Sequence, residues 1–429
     1  VPGRKSLTGI RQDFNVPNSP TLFEELDPSP RLLMGPGPVD VYPRVLKAMS
    51  TQLQGQFDPE FTRYMDQIKV LYRQVFETKN EQTFLINGTA RAGIEACLAS
   101  MIRPGDVVLT PIYGRFGHLL REISMRSGAT VHSIETEWGN VFTTDEFEAA
   151  IKQHKPQIVA ISQGDTSVTV NQPLKELGEI CKQHNCLLYV DATATLGGNA
   201  LPIDDWHIDA VSAGLQKCLS GPPGSSPISF NDEVVQRVLD RKHTEAGIRA
   251  EGVVDADGPI IQSNYFDLAM LMDYWGPQRL NHHTESASML FAARECARVL
   301  LEEGLAECQA RHQLTSKALR AGLKAMGLSL FGDQDHLMSN VTGVHIPEAC
   351  GNGAQLRSDM LLDFGIEIGT SFGPLDGKIW RIGTMGYVCR KSNVLRCLSA
   401  LEMTLNRHGF KTPQCAGVDA AYEVYDTVA

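Results

Sequence analysis

Lys217 stands in Ser212-Ala213-Gly214-Leu215-Gln216-Lys217-Cys218-Leu219-Ser220-Gly221-Pro222-Pro223-Gly224, between a short predicted strand and a Gly/Pro turn. Most lysines sit on surfaces. One held among small and apolar residues has a lowered pKa and can form a Schiff base. Upstream, Asp191 closes the apolar run Leu187-Leu188-Tyr189-Val190. A carboxylate at the end of a buried strand is expensive to leave unpaired. It either caps the next turn or meets a buried cation, such as a protonated ring nitrogen. Gly88-Thr89-Ala90-Arg91 opens a helix behind another strand. The unpaired N–H groups and partial positive charge of a helix N-terminus suit a phosphate. Thr89 adds a hydroxyl and Arg91 a full charge, although an ordinary capping threonine would look the same. Together the three segments suggest pyridoxal phosphate: Lys217 for the aldehyde, Asp191 for the pyridinium, Thr89 and its helix for the phosphate. No G-x-G-x-x-G occurs here or in Gly35-Pro36-Gly37-Pro38, and Gly93 is followed by Ile94 and Glu95. Neither a dinucleotide fingerprint nor a P-loop is present.

The elements that must position these residues alternate along the chain. The pattern predicts a helix over Thr89–Met101, a strand over Val107–Ile112 and a helix face at Phe116, Leu119, Leu120 and Ile123. Thr143 and Glu146 form a capping box ahead of an Ala-rich helix. Ile158–Ile161 reads as a strand, Leu174–Cys181 as a helix face and Cys186–Val190 as a strand. Such alternation argues for a parallel sheet wrapped by helices. Ligands of such sheets bind outside the carboxyl ends of the strands. That rule points to Asn87-Gly88-Thr89-Ala90-Arg91, Gly164-Asp165-Thr166 and Asp191-Ala192-Thr193. Beyond about residue 285 the texture changes, with long helical patterns over Ser286–Glu303 and Leu305–Met326. A shorter mixed region follows and ends near Leu405 in a polar tail. The expected division is an arm over 1–29, a large domain over 30–303 and a smaller α+β domain over 304–429.

The chain has 429 residues, with 39 basic against 50 acidic side chains and a net charge of −11. That balance argues against a nucleic-acid partner, while one or two placed arginines can still attract a small anion. No apolar run is long enough for a membrane span. Ten cysteines are scattered, mostly in apolar stretches, and predict free buried thiols rather than a disulfide framework. The tightest pair, Cys181 and Cys186, has no second pair of metal-ligand spacing beside it. The N-terminal residues lack the basic-then-apolar pattern of a secretory signal. A reducing, cytoplasmic compartment is expected.

The ordered set Pro36-Gly37-Pro38, Gly88-Thr89-Ala90, Val190-Asp191, Gln216-Lys217, His282-His283-Thr284 and Arg381-Ile382-Gly383 resembles the class V, fold-type I aminotransferases. The likeness is to their alanine–glyoxylate and serine–pyruvate branch and covers about Leu33 to Leu405. A finer likeness, to members of that branch acting on a ureido-bearing amino donor with glyoxylate, lies in Gly55–Pro59, Pro111–Gly117, Ser263–Leu268, Arg279–Glu285 and Phe372–Leu375. The resemblance implies an α/β fold-type I transferase, with a mostly parallel seven-stranded sheet and a smaller C-terminal α+β domain. It implies Lys217 as the Schiff-base lysine and proton shuttle, and Asp191 as the partner of the pyridine nitrogen. Thr89, Ala90, Arg91 and Gln216 would hold the phosphate, and Phe116 would stack on the ring. Thr166 would lie near the phenolic oxygen and Thr193 against the opposite face. Thr284 would reach the phosphate from a partner subunit, so a homodimer with shared sites is implied. Arg381 would clamp the substrate carboxylate. Two positions depart from the alanine–glyoxylate enzymes: Asn281 replaces a tyrosine, and Gln56 is an added glutamine. Both amides donate and accept hydrogen bonds, as a ureido group needs and a methyl does not. An alanine– or serine–glyoxylate enzyme, a cysteine desulfurase-like lyase using Cys350 or Cys389, and a scaffold without cofactor remain the alternatives at this point.

Overall fold

In the computed structural model, residues 25–427 are described. Of the arm expected over 1–29, only 25–29 fall among them, as exposed coil; the rest lies outside the described residues. The central element is a seven-stranded sheet in the order Gln82–Asn87, Ser225–Phe230, Ala210–Ser212, Leu187–Asp191, Ile158–Ser162, Val107–Ile112, Thr130–Glu135. Ser225–Phe230 runs antiparallel to both neighbours, and the other pairings are parallel. Strands covered by helices on both faces should be apolar throughout. Ile158–Ser162 and Leu187–Asp191 are indeed buried at every residue. Thr130–Glu135, at the edge, has polar Thr130, His132, Ser133 and Glu135 beside apolar Val131 and Ile134 and stays half-exposed.

The helices predicted between strands form at Ala90–Met101, Arg115–Arg126, Thr144–His154 and Lys175–Gln183. Thr143 and Glu146 make the reciprocal capping box. Further on, Ala287–Glu303 and Leu305–Ala325 are separated by Gly304, whose φ of +95° breaks one helix from the next. The first packs its Leu290, Phe291, Cys296 and Leu300 into the core of the large sheet.

A second core lies around a four-stranded antiparallel sheet in the order Leu330–Phe331, Val341–His345, Ile379–Gly383, Gly369–Thr370. Leu32, Met34 and Val39, near the start of the described chain, belong to this core too. The connection is the parallel pairing of Leu32–Leu33 with Ile366–Glu367. The chain after Leu405 is not simply a polar tail. Helix Lys391–Arg407 carries through it, and after a short loop Ala416–Asp426 forms another helix against Leu305–Ala325. Gly322 permits this contact, since a Cβ there would lie 2.5 Å from the Gly417 carbonyl oxygen. All ten cysteines are free thiols, eight of them buried, Cys181 and Cys186 included. Among the described residues, no helix is long and apolar enough to cross a membrane.

Candidate active site

Three loops at the carboxyl ends of strands of the seven-stranded sheet converge on a cavity of about 200 Å³. The first leaves strand Gln82–Asn87 through Gly88, whose φ is +140°. Thr89 is the N-cap of the next helix, yet its side chain makes no capping hydrogen bond. A capping threonine would turn its hydroxyl to the helix N–H groups. This one leaves its hydroxyl for a ligand, while the Ala92 N–H donates to the Thr89 carbonyl at 2.7 Å. Thr89, Ala90 and Arg91 all line the cavity.

Asp191 ends the second strand. It is 5 % exposed, and its Oδ1 accepts the Thr193 N–H at 2.9 Å. Burial pushes its carboxyl above the usual range, against the pull of Thr193 and of the Lys217 amine. Thr193 lines the cavity beside it. The third loop carries Gln216 and Lys217. Gly214 allows it to approach the first, since a Cβ there would lie 2.7 Å from Ala90 Cβ and 2.6 Å from Gln216 Oε1. Lys217 donates to the Pro36 carbonyl. Burial, then the Arg381 guanidinium, lowers its amine to about 8. Gly37 lies next to it with a φ of +97°, which favours glycine, and a Cβ there would lie 2.5 Å from Lys217 Nζ.

Phe116 and Thr166 complete the wall, and one buried carboxylate ties them together. Asp165 Oδ2 accepts the Phe116 N–H at 2.8 Å, and its Oδ1 accepts the N–H and hydroxyl of Ser167 at 2.8 and 2.6 Å. A Cβ on Gly114 would lie 2.4 Å from Asp165 Oδ2. From the C-terminal sheet, Arg381 reaches in. Its Nη1 donates to the Thr166 carbonyl at 2.8 Å and its Nε to the Thr370 carbonyl at 2.6 Å. Nη2 has no hydrogen-bond partner among the described residues. Burial lowers this guanidinium to about 10, so it stays a cation at neutral pH. The Phe372 ring lies under it, 5.0 Å from ring centre to guanidinium carbon, and under Arg115 at 4.5 Å.

The cavity thus brings together Thr89, Ala90, Arg91, Phe116, Thr166, Asp191, Thr193, Gln216 and Lys217, with Arg381 one residue away. Gln56, Asn281 and Thr284 do not line it. Gln56 and Asn281 instead meet each other elsewhere on the chain, Gln56 Nε2 donating to Asn281 Oδ1 at 3.1 Å. Thr284 is exposed nearby in sequence. Neither Cys350 nor Cys389 lines the cavity. Cys389 is buried, and burial raises its thiol to about 11. Asp165 and Arg115 lie in segments the sequence points to, Gly164-Asp165-Thr166 and Pro111–Gly117, but the sequence gives neither a role. The signal that could have given Asp165 one is the Asx turn, in which an aspartate accepts the backbone N–H two residues on, here that of Ser167.

The chemistry of this donor set fits a phosphorylated aromatic aldehyde with a basic ring nitrogen. Gln216 Oε1 is buried without a partner, Thr89 has a spare hydroxyl at a helix N-terminus, and Asp191 is a buried carboxylate wanting a cation. Lys217 supplies a readily deprotonated amine.

Comparison with known proteins agrees. The aminotransferase class-V family matches residues 36–352. The (S)-ureidoglycine–glyoxylate transaminase of Bacillus subtilis (strain 168) is 51 % identical over 398 residues, covering 92 % of this chain and 95 % of that protein. The alanine–glyoxylate aminotransferase of Drosophila melanogaster is 33 % identical over 406 residues, covering 93 % and 99 %. The crystal structure of the ureidoglycine–glyoxylate aminotransferase from Bacillus subtilis superimposes with a TM-score of 0.89 at 50 % identity, covering 94 % of this chain and 100 % of that one.

Proposed function

The chain belongs to the class-V aminotransferases, transaminases dependent on pyridoxal phosphate, and we propose that it moves the amino group of (S)-ureidoglycine to glyoxylate. The products are oxalurate and glycine, in purine breakdown. The observation that carries this reading is the Gln56–Asn281 amide pair, at the two positions where the chain departs from the alanine–glyoxylate pattern.

Thr89, Ala90, Arg91 and Gln216 would hold the cofactor's phosphate, Phe116 and Thr193 would enclose its ring, and Thr166 would lie by its phenolic oxygen. Asp191 would keep the ring nitrogen protonated by charge pairing in a dry site. When bound, pyridoxal phosphate supplies the electron sink that lets the donor's α C–H bond break.

The remaining work falls to side chains. Arg381 is oriented by two carbonyls, and its Nη2 edge is free for the carboxylate common to donor and acceptor. Lys217 Nζ takes the donor's α-proton, a role that suits an amine near neutrality. The same proton path run backwards serves glyoxylate. Cys350 and Cys389 lie outside the cavity, which disfavours a lyase working through either thiol.

Gln56, Asn281 and Thr284 act, in this reading, in the site of a partner subunit within a homodimer. Their position outside the chain's own cavity supports it, as do Leu53 and Phe57, 64 % and 72 % exposed beside Gln56. A cytoplasmic location fits the ten free thiols. The reaction itself is tested by mixing purified protein, freshly generated ureidoglycine and glyoxylate and identifying products by mass. Oxalurate and glycine in equal amounts support the reading, and their absence alongside rapid turnover of alanine refutes it.

A further inference from the structure

Ser220 holds an unusual position three residues after Lys217. Its φ is +49°, in the left-handed region that serines seldom adopt, and it is fully buried. Its N–H donates to the Lys217 carbonyl at 2.9 Å, closing the lysine's turn, and its own carbonyl accepts the Tyr42 N–H at 3.1 Å. Its Oγ accepts the Tyr387 N–H at 2.7 Å. Gly386, just before, is also left-handed, with φ +51°. A Cβ there would lie 1.8 Å from Ser220 Oγ and 2.6 Å from the Cys218 carbonyl. Two left-handed residues are therefore pressed together behind the lysine. Strain of this kind persists only where surrounding structure enforces it.

Helix Leu305–Ala325 supplies the enforcement. Gly386 N–H donates to His312 Nε2 at 2.9 Å, and His312 Nδ1 lies 2.7 Å from the Cys308 carbonyl. A carbonyl only accepts and a backbone N–H only donates, so Nδ1 carries the proton and Nε2 is bare. His312 is fully buried, and burial with the neighbouring Arg311 lowers it to about 4, so the acceptor survives at all ordinary pH. Arg311 Nη1 donates to the Gly386 and Cys389 carbonyls, both at 2.9 Å. Glu303 holds that guanidinium through both oxygens.

We infer that Ser220 is a positioning residue for Lys217, and that neutral His312, through the Gly386–Tyr387 turn, locks it in place. The C-terminal part of the chain thereby sets where the lysine amine sits in the cavity. The inference rests on Lys217 being the cofactor-binding lysine and is independent of which donor is used.

The test uses the holoenzyme without substrate, following the pH midpoint of its yellow absorbance, and then kcat and KM for glyoxylate. Arg381, Asp191 and Cys218 are the titratable groups facing the amine. None is changed in the variants, so a shifted midpoint reports a displaced lysine. Ser220→Gly accepts the backbone angle freely but loses the hydroxyl. It should move the midpoint by about 0.5 pH unit or more and lower kcat by about tenfold, with KM changed far less. His312→Leu should do the same, whereas His312→Gln, which keeps an acceptor for Gly386 N–H, should restore most of both. Ser220→Gly with midpoint and kcat unchanged overturns the inference, and so does His312→Gln as damaged as His312→Leu. Lys217→Ala, run beside them, separates a wrong lysine from a wrong positioning residue: retained yellow colour there removes the premise and the inference with it.

Discussion

Gln56 and Asn281, far apart in sequence, share one hydrogen bond, Gln56 Nε2 donating to Asn281 Oδ1 at 3.1 Å. Gln56 Oε1 is left buried without a partner, and Asn281 Nδ2 is left unbonded among the described residues. The pair therefore has one acceptor and one donor unbonded, the two kinds of group that a ureido NH₂ and C=O would need. Asn281→Tyr removes the donor and fills the space with an apolar ring. Its kcat/KM for ureidoglycine should fall by about 10²-fold, with alanine gaining relative to it, since in a site the partner subunit closes over, a lost hydrogen bond that leaves its partner unpaired costs about 1–3 kcal/mol. If both donors change by the same factor, the amide serves only cofactor affinity.

Lys217→Ala should keep the fold and lose both turnover and the yellow colour, because in the proposed reading that side chain supplies the amine. In the parent, the amine is charged below its lowered pKa and nucleophilic above it. The rate at which cofactor-free protein turns yellow on adding pyridoxal phosphate should thus climb from mildly acid pH and level off above about pH 8. A variant that stays yellow and active, or a parent rate flat across that range, contradicts the assignment.

Asp191→Asn keeps the shape of a buried side chain and removes its charge. Stranding a buried cation costs about 3 kcal/mol or more, roughly 10²-fold in the proton-transfer step. Single-turnover kinetics of the donor half-reaction measures this directly. A loss below about tenfold (~1.4 kcal/mol) assigns the role to another group.

Much of this site was legible because its chemistry is local. Asp191 ends a buried strand, Thr89 follows one by two residues and Lys217 follows one by five, and strand ends show in apolar runs. Phe116 and Arg381 came only from family resemblance, because nothing near them in sequence reveals the Asp165 carboxylate or the Thr166 carbonyl that hold them. The Gln56–Asn281 contact could not be read from spacing. Nor could the final helix: its two buried positions, Gly417 and Ala421, are small, and Val418, Val424 and Tyr425 only partly bury beside them. The Leu32–Met34 segment looked like the start of the large domain, but its strand pairing is with Ile366–Glu367.

Shared sites predict complementation. Lys217→Ala protein and an Asn281/Thr284 double variant should each be inactive. Mixed under conditions that exchange subunits, they should recover part of the parent activity through hybrids with one intact site. Hybrids shown by native mass spectrometry to form without regaining activity place both residues in their own subunit's site.

The donor is the central claim, and a direct comparison tests it best. With glyoxylate fixed as acceptor, kcat/KM is measured for freshly generated ureidoglycine, alanine and serine on one preparation. The amide pair predicts ureidoglycine ahead of both by about 10²-fold or more, as expected when a site built from polar groups meets ligands lacking their partners. Alanine or serine equal to or better than ureidoglycine would contradict it and place the chain with the alanine– and serine–glyoxylate enzymes.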